Sequence, residues 1–313
     1  MTQMTNAQAR VIDPVLSEVA RGFKHNDMIA GILFPRVNVG QRAGKIITFG
    51  REDFKLYQSK RAAGQNTKRV SYGYAGSPYA LQDDSLEGVL PTENMQEATA
   101  VPGIDLGRIT LMKVDRTMAL GYEYAAAQVA RTAGSYAAAN KTALTGTARW
   151  DTTTSTPLTD VIAAKEAIRA KIGRYPNVMT LSPKAFLYLA EHASIKDKIK
   201  YTTTDSVTVQ MLARMFDIDT VVVGKAVFLD DSNVQNDVWG TDVVFAYVDV
   251  SGLADAGSPS AFYGYNLTGM PAAEEPYYDR NPKSWIYPYT RVEAPVMAAS
   301  SGDGAFLMQT VVS

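Results

Sequence analysis

The chain has 313 residues, 46% of them hydrophobic and 20% charged, enough for a buried core and ordinary for a globular protein. It has no cysteine and only two histidines, His25 and His192, which excludes disulfides, thiolate metal sites and an all-histidine zinc site. A formal net charge of −1 gives no overall pull toward nucleic acid or an anionic membrane.

The N-terminal stretch MTQMTNAQARVIDPVL is polar and lacks the apolar centre of a secretion signal. No run approaches the ~18–20 apolar residues of a membrane span. The expectation is a soluble, cytosolic protein. Asp13-Pro14 opens a short helix that Gly22 closes. MIAGILFPRVNV at 28–39 is apolar but interrupted by Pro35, which has no backbone donor. It reads as an extended arm or sheet edge lying on another surface, of this subunit or of a neighbour.

Residues 41–69 carry Arg42, Lys45, Arg51, Lys55, Lys60, Arg61, Lys68 and Arg69 against only Glu52 and Asp53. KIITFG at 45–50 reads as a strand, Gly64 and Asn66 as a turn, and the stretch from Val70 as the returning strand. This is a long hairpin with too little apolar content to stand alone in water. From Val70 to Gly107 there is no lysine or arginine, whereas Asp83, Asp84, Glu87, Glu93, Glu97 and Asp105 all occur. The change of sign near residue 70 describes either two solvated faces or complementarity between copies. In the second reading the basic hairpin of one copy lies over the acidic segment of the next. Its contact candidates are Arg51, Lys55, Lys60, Arg61, Lys68 and Arg69 on one side and Asp83, Asp84 and Glu87 on the other.

The strongest helix runs from Asp105 to about Ala133. Leu111, Val114, Met118, Tyr122, Ala125 and Val129 recur at three- and four-residue steps, and Gly134 is a stop. Asp105 and Arg131 suit the two ends of its macrodipole. A Ser/Thr-rich connection at 145–157 leads to a helix opened by Thr159-Asp160 and closed at Gly173. A buried strand at 177–182, a helix with Pro183 in its first turn, another helix at 208–216 and strands at 220–229 and 242–250 follow. Residues 251–284 read as one long loop with a binding role. Its aromatic residues, Phe262, Tyr263, Tyr265, Tyr277 and Tyr278, are of the kind enriched at interfaces. Strands return at 284–292 and 305–312. This order indicates an α+β fold rather than a regular βαβ series.

No catalytic pattern emerges. GQRAGKI at 40–46 has three residues between its glycines where a phosphate-binding loop has four, and Ile46 stands where that loop needs Ser or Thr. Asp230, Asp231, Asn233 and Asp237 lack the glycine and terminal glutamate of a calcium loop and read as a capped turn. His192 suits the C-terminal end of a helix, and His25 lies in a polar turn. Glu274 and Glu275 precede Pro276 with no fixed geometry for acid–base work. The expectation is no enzyme activity and no cofactor or metal.

Five stretches carry a resemblance: WDTTTSTPLTDVI at 150–162, PNVMTLSPKAFLYLAEH at 176–192, IKDKIKY at 195–201, LARMFDIDTVVVGKA at 212–226 and WGTDVVFAYV at 239–248. In this order and spacing the segment from Trp150 to Val250 resembles the major capsid proteins of tailed bacteriophages, which have the Hong Kong 97-type fold. IDPVL at 12–16 and LFPRV at 33–37 look like the start of such proteins. The resemblance implies an N-terminal arm at 1–44 and an extended E-loop at 45–80 that overlies a neighbour. It implies a peripheral domain at 81–176 and 280–313, with a spine helix at about 105–133, and an axial domain at 177–279 around the capsomer centre. It places the 251–284 loop, with Phe262, Tyr263 and Tyr265, near that centre.

The implied function is a head-shell subunit that forms pentamers and hexamers around double-stranded DNA. A separate scaffolding protein, a portal and a decoration protein are the implied partners, contact with packaged DNA is non-specific, and the membrane has no part. The implied location is the virion, after assembly in the host cytoplasm. Lysines Lys55, Lys60 and Lys68 lie in the loop that some relatives cross-link, but no partner asparagine matches. An encapsulin-like cellular compartment, which shares the fold, is the alternative, and an enzyme with an unfamiliar site is a third.

Overall fold

A computed structural model describes residues 27–48, 56, 59–61, 66, 67, 69, 75–99, 105–199, 207–249, 260–298 and 303–313. The helix expected at 13–22, His25, Arg51, Lys55 and Lys68 lie outside the described residues. In chain order the elements are α1 (Ala30–Leu33), β1 (Arg36–Val39), β2 (Ala43–Thr48), β3 (Ala75–Ala80), β4 (Gln82–Pro91), α2 (Thr92–Thr99), α3 (Leu106–Arg131), β5 (Lys141–Ala143), α4 (Pro157–Ile172) and β6 (Val178–Leu181). Then come α5 (Pro183–Glu191), α6 (Ala193–Ile199), α7 (Val209–Phe216), β7 (Thr220–Val223), β8 (Val227–Leu229), β9 (Gln235–Asp237), β10 (Val243–Ala246), β11 (Phe262–Leu267), β12 (Ala272–Ala273), β13 (Tyr277–Asp279), β14 (Ser284–Met297) and β15 (Ala305–Gln309).

The local signals act where expected. Asp105 accepts a hydrogen bond from the Arg108 amide and starts α3, Ser182 does the same for the Ala185 amide at α5, and Gly173 closes α4 in the left-handed region at φ 70°. Pro35 separates α1 from β1. The 28–39 run is therefore neither wholly extended nor exposed: Ile29, Ala30, Leu33 and Phe34 are buried in this subunit's own core.

Two sheets form the body. In the first, the 14-residue β14 pairs along one edge with β4, from Ser284 opposite Pro91 to Glu293 opposite Gln82. Its other edge takes β13, β12 and β11 in turn, and β1 adds parallel to the far side of β11. The second sheet has the order β5-β15-β10-β6-β7, parallel at both ends and antiparallel between. Its three central strands are apolar on both faces, as a doubly covered sheet requires. Met179, Leu181, Val243, Phe245, Phe306 and Met308 face a core closed by α4, α5 and α7. Val178, Val244, Ala246, Ala305 and Leu307 face α1 and the end of α3.

The sheets redraw two expectations. Residues 251–284 are not one loop, because β11, β12 and β13 lie inside that range. Phe262, Tyr263 and Tyr265 are buried strand residues rather than an exposed aromatic surface. Gly264 between them marks close packing, not a turn: a Cβ there would lie 2.5 Å from the Tyr122 hydroxyl and 2.9 Å from the Phe34 carbonyl oxygen. Sheet membership also crosses the expected boundary at 177–279. β5 and β15, from outside it, join β6, β7 and β10, while β11 to β13, from inside it, join β4 and β14. The alternating apolar residues of Ala305–Met308 serve two cores at once, which suits a central strand of the second sheet.

Helix α3 joins the two sheets by rotating its buried stripe. In its first half Leu111 and Val114 pack on Tyr289 and Ala273 of the first sheet. In its second half Ala126, Ala127 and Ala130 pack in the core beneath the second sheet. At 3.6 residues per turn the stripe shifts by roughly 130° around the axis. Beyond Met118 the expected stripe through Tyr122, Ala125 and Val129 is only partly buried: Tyr122 and Val129 pack at the edge of the core but do not carry the main contact. There Ala119, Glu123, Ala126, Ala127 and Ala130 turn inward instead.

A buried ionic group fixes the first half of α3 to its sheet. Arg291 of β14 donates from Nη2 to Asp115 of α3 at 2.6 Å and from Nη1 to Glu293 at 2.9 Å, and Arg36 approaches Glu293 at 3.9 Å. Burial disfavours the Arg291 charge, but Glu293, Tyr289 and Asp115 outweigh that effect and hold its pKa up. Removing one partner leaves the others charged and uncompensated in the interior. Arg291→Met is expected to destabilise the dissociated subunit by about 3–5 kcal/mol, read as a lower urea midpoint. The triple change Arg291→Met, Asp115→Leu, Glu293→Met should recover most of that loss.

Candidate assembly surfaces

The hairpin begins as an ordered ribbon. β2 and β3 pair from Ala43 opposite Ala80 to Thr48 opposite Ala75. The base is tied to the first sheet by a stack of Tyr79 on Tyr265, with ring centroids 4.5 Å apart and planes 10° apart. A backbone bond from the Leu81 amide to the Arg42 carbonyl and an ion pair between Arg42 and Asp83 at 2.9 Å complete the attachment. Farther out, Lys60, Arg61 and Arg69 are exposed, and Leu56 is 98% exposed. A leucine so bare finds no core in its own subunit.

The acidic candidates sit on β4. Asp83, Asp84 and Glu87 are all exposed, yet each has a neighbour within the chain. Asp83 holds Arg42, Asp84 lies opposite Arg291 in the strand register, and Glu87 accepts the Tyr277 hydroxyl at 3.3 Å. Part of the complementarity between the 41–69 and 70–107 segments is thus satisfied inside one copy, at the root of the hairpin. The structure brings Arg42 together with Asp83; among the described residues no ion pair joins Lys60 or Arg69 to the acidic strand.

The sequence reading overlooked Glu123. This glutamate of α3 is 1% exposed. Its Oε1 accepts from the Ile29 amide at 3.0 Å and from the Trp239 indole at 2.7 Å, and its Oε2 accepts from the Ala30 amide at 2.7 Å. One carboxylate therefore caps the start of α1 and satisfies a buried tryptophan. Burial pushes its pKa up, and the Ile29, Trp239 and Ala30 donors oppose that shift. Its signal in the sequence is a lone acid among Tyr122, Tyr124 and the alanines that follow. The same signal marks Arg291 and Glu293, two charges in an otherwise uncharged strand.

His192 ends α5 as expected. It is buried between Ser155 and Ser194, with an amide donor from Ser194 to Nδ1, a structural arrangement. Asp230 caps its own turn through the Ser232 and Val234 amides. Among the described residues no group of three or more His, Cys, Asp or Glu side chains is placed to hold a metal ion, and no helix is long and apolar enough to cross a membrane.

A helix shared by two sheets, with a hairpin rooted on one of them, fits the Hong Kong 97-type shell subunit that the sequence resemblance implies. Comparison with solved structures agrees. The crystal structure of a phage-related protein from Bordetella bronchiseptica RB50 superimposes with a TM-score of 0.82 at 41% identity, covering 97% of this chain and 98% of that one. The mature capsid of bacteriophage PhiM1 shares the fold at 13% identity, with a TM-score of 0.55 over 92% of this chain and 88% of that one. The family model described as phage major capsid protein E matches residues 116–286. The major capsid protein of Burkholderia phage BcepMu is 34% identical over 263 residues, 83% of this chain and 84% of that protein. The chain belongs to the phage major capsid protein E family.

The Glu123 contact is open to direct test. Glutamine offers one acceptor oxygen and one donor group to three N–H donors, so at least one donor loses its partner. Glu123→Gln is expected to cost about 1–3 kcal/mol, measured by urea unfolding of the dissociated subunit. Glu123→Ala should cost more.

Proposed function

We propose that this major capsid protein assembles as pentamers and hexamers through its projecting hairpin, which lies over a neighbouring subunit. The observation that carries this is the contrast along the hairpin: a root fixed by Tyr79, Tyr265, Arg42 and Asp83, then Leu56 at 98% exposure. The basic positions Arg51, Lys55, Lys60, Arg61, Lys68 and Arg69 are its contact side. A separate scaffolding protein and a portal complete the head, which is built in the host cytoplasm. The role is structural, without turnover. Family membership favours this reading over an encapsulin-like compartment.

Purified protein, alone or with its scaffold, is expected to give shells, tubes or capsomers by electron microscopy. A stable monomer at every accessible concentration with scaffold present would sink the proposal. Lys60→Glu with Arg61→Glu should impair assembly and reduce its sensitivity to salt, since exposed charges are screened over ~10 Å at 0.1 M. Normal assembly by that variant would show the hairpin charges to be solvated bystanders.

The nearly neutral chain should hold packaged DNA weakly and without base readout, because such binding follows phosphate neutralisation. Filter binding in ~150 mM salt is expected to show weak, sequence-independent retention; tight selective binding would contradict it.

A further inference from the structure

A second exposed surface has the chemistry the hairpin lacks. β8 and β9 form a two-stranded ribbon, with Val227 opposite Asp237 and Leu229 opposite Gln235. Its inner side is anchored: Phe228 meets the Tyr124 ring of α3 edge-on, with centroids 4.8 Å apart. Its outer side is bare, with Val227 39% and Leu229 66% exposed, and Val234 beside them is 54% exposed. Aliphatic side chains presented in this way on a two-stranded ribbon are an unfilled contact.

The turn between the strands is preformed. Asp230 accepts from the Ser232 and Val234 amides and from the Asn236 side chain, and Asn233 adopts φ 58°. Asp231 and Asp237 form no ion pair among the described residues, and Lys225 at the ribbon's base is the one cation between residues 225 and 237. The ribbon is thus acidic, partly apolar and rigid. The hairpin is basic and carries a bare leucine. Leu56 is 98% exposed and meets no core among the described residues, which leaves it available to another copy. The 26 residues between β2 and β3 are enough chain to span at most ~40 Å out and back at ~3.3 Å per residue, the distance needed to cross to a neighbour. The acids of β4 are weaker partners, since Asp83 and Glu87 already have partners within the chain.

We propose that the β8–β9 ribbon receives the hairpin of a second copy, with Leu56 against Val227 and Leu229, and Lys60 and Arg69 facing Asp231 and Asp237. This rests on the shell assembly proposed above and names the surface on which the hairpin docks.

The absence of native cysteine makes the test clean. Lys60→Cys is combined with Asp231→Cys, Leu56→Cys with Leu229→Cys and, for comparison, Lys60→Cys with Asp83→Cys. Assembled particles are oxidised and run on non-reducing gels. A disulfide needs Cα atoms within ~7 Å. The first two pairs are expected to give a ladder of linked subunits beyond the dimer, because each copy gives one hairpin and receives another. Particles without a ladder from either pair, or with one from the Asp83 pair alone, overturn the proposal. So does a link confined to dissociated single chains.

Should the double variants not assemble, Lys60→Cys alone carries a photoreactive label in particles. The labelled peptide is expected to lie within residues 225–238 of a neighbour, and labelling elsewhere overturns the proposal. Leu229→Ser should lower particle yield by about tenfold while leaving the unfolding midpoint of the dissociated subunit unchanged; an unchanged yield also counts against the seat. A wild-type protein that forms no particles at all removes the shell reading instead, which keeps the two failures distinct.

Discussion

One carboxylate, Glu123, accepts three N–H donors from parts of the chain that are far apart in sequence: two amides that begin α1 and the indole of Trp239. It sits at the point along α3 where the buried stripe leaves the first sheet and turns toward the second. Around it the neighbours are small or ring-shaped. Ala126, Ala127 and Ala130 allow α1 to approach closely, and Gly224 allows the Trp239 indole to lie where a Cβ would collide with it. The directional bonds of Glu123 fix how α3 is turned about its axis relative to α1 and Trp239.

The rest of the body follows from that changeover. On one side the helix is locked by Arg291, Asp115 and Glu293; on the other Arg131 at its C-terminal end pairs with Asp242 at 2.7 Å and donates to the Val238 carbonyl. Asp242 in turn accepts the Thr310 amide beside β15. Both halves are therefore held by charged groups with well-defined directions, over apolar cores that alone would tolerate sliding. A body of this kind lets a protein form many equivalent contacts from one conformation.

Local signals were legible in the sequence wherever they act over a few residues. Asp105, Gly173 and Pro183 set helix ends through their own backbone neighbours, so their roles survive without knowledge of the fold. Family membership was legible too, from loose motifs kept in order between Trp150 and Val250. Strand membership was not. β15 belongs with β10 and β5, and β11 with β14 and β1, pairings set by surfaces distant in sequence. Nor does sequence show why two glycines stand where they do: Gly264 and Gly224 each admit an aromatic side chain, Tyr122 and Trp239, close to the backbone. The second half of α3 hid its buried face because alanines on every side carry little periodicity. The acidic strand was recognised, but a linear sequence does not show that Arg42 had already taken Asp83.

The root of the hairpin also decides how force enters this subunit. Besides the chain itself and the Leu81–Arg42 backbone bond, a pull on the arm reaches the body through two side-chain fastenings of different character. The Arg42–Asp83 pair is 43% and 30% exposed, so dissolved ions soften it. The Tyr79–Tyr265 stack rests on a 5% exposed ring and is indifferent to them. Tyr265 lies on β11, flanked on one side by β14 and on the other by β1. Tension arriving there runs along the strands as shear, shared among several ladder hydrogen bonds at once, instead of peeling them apart singly.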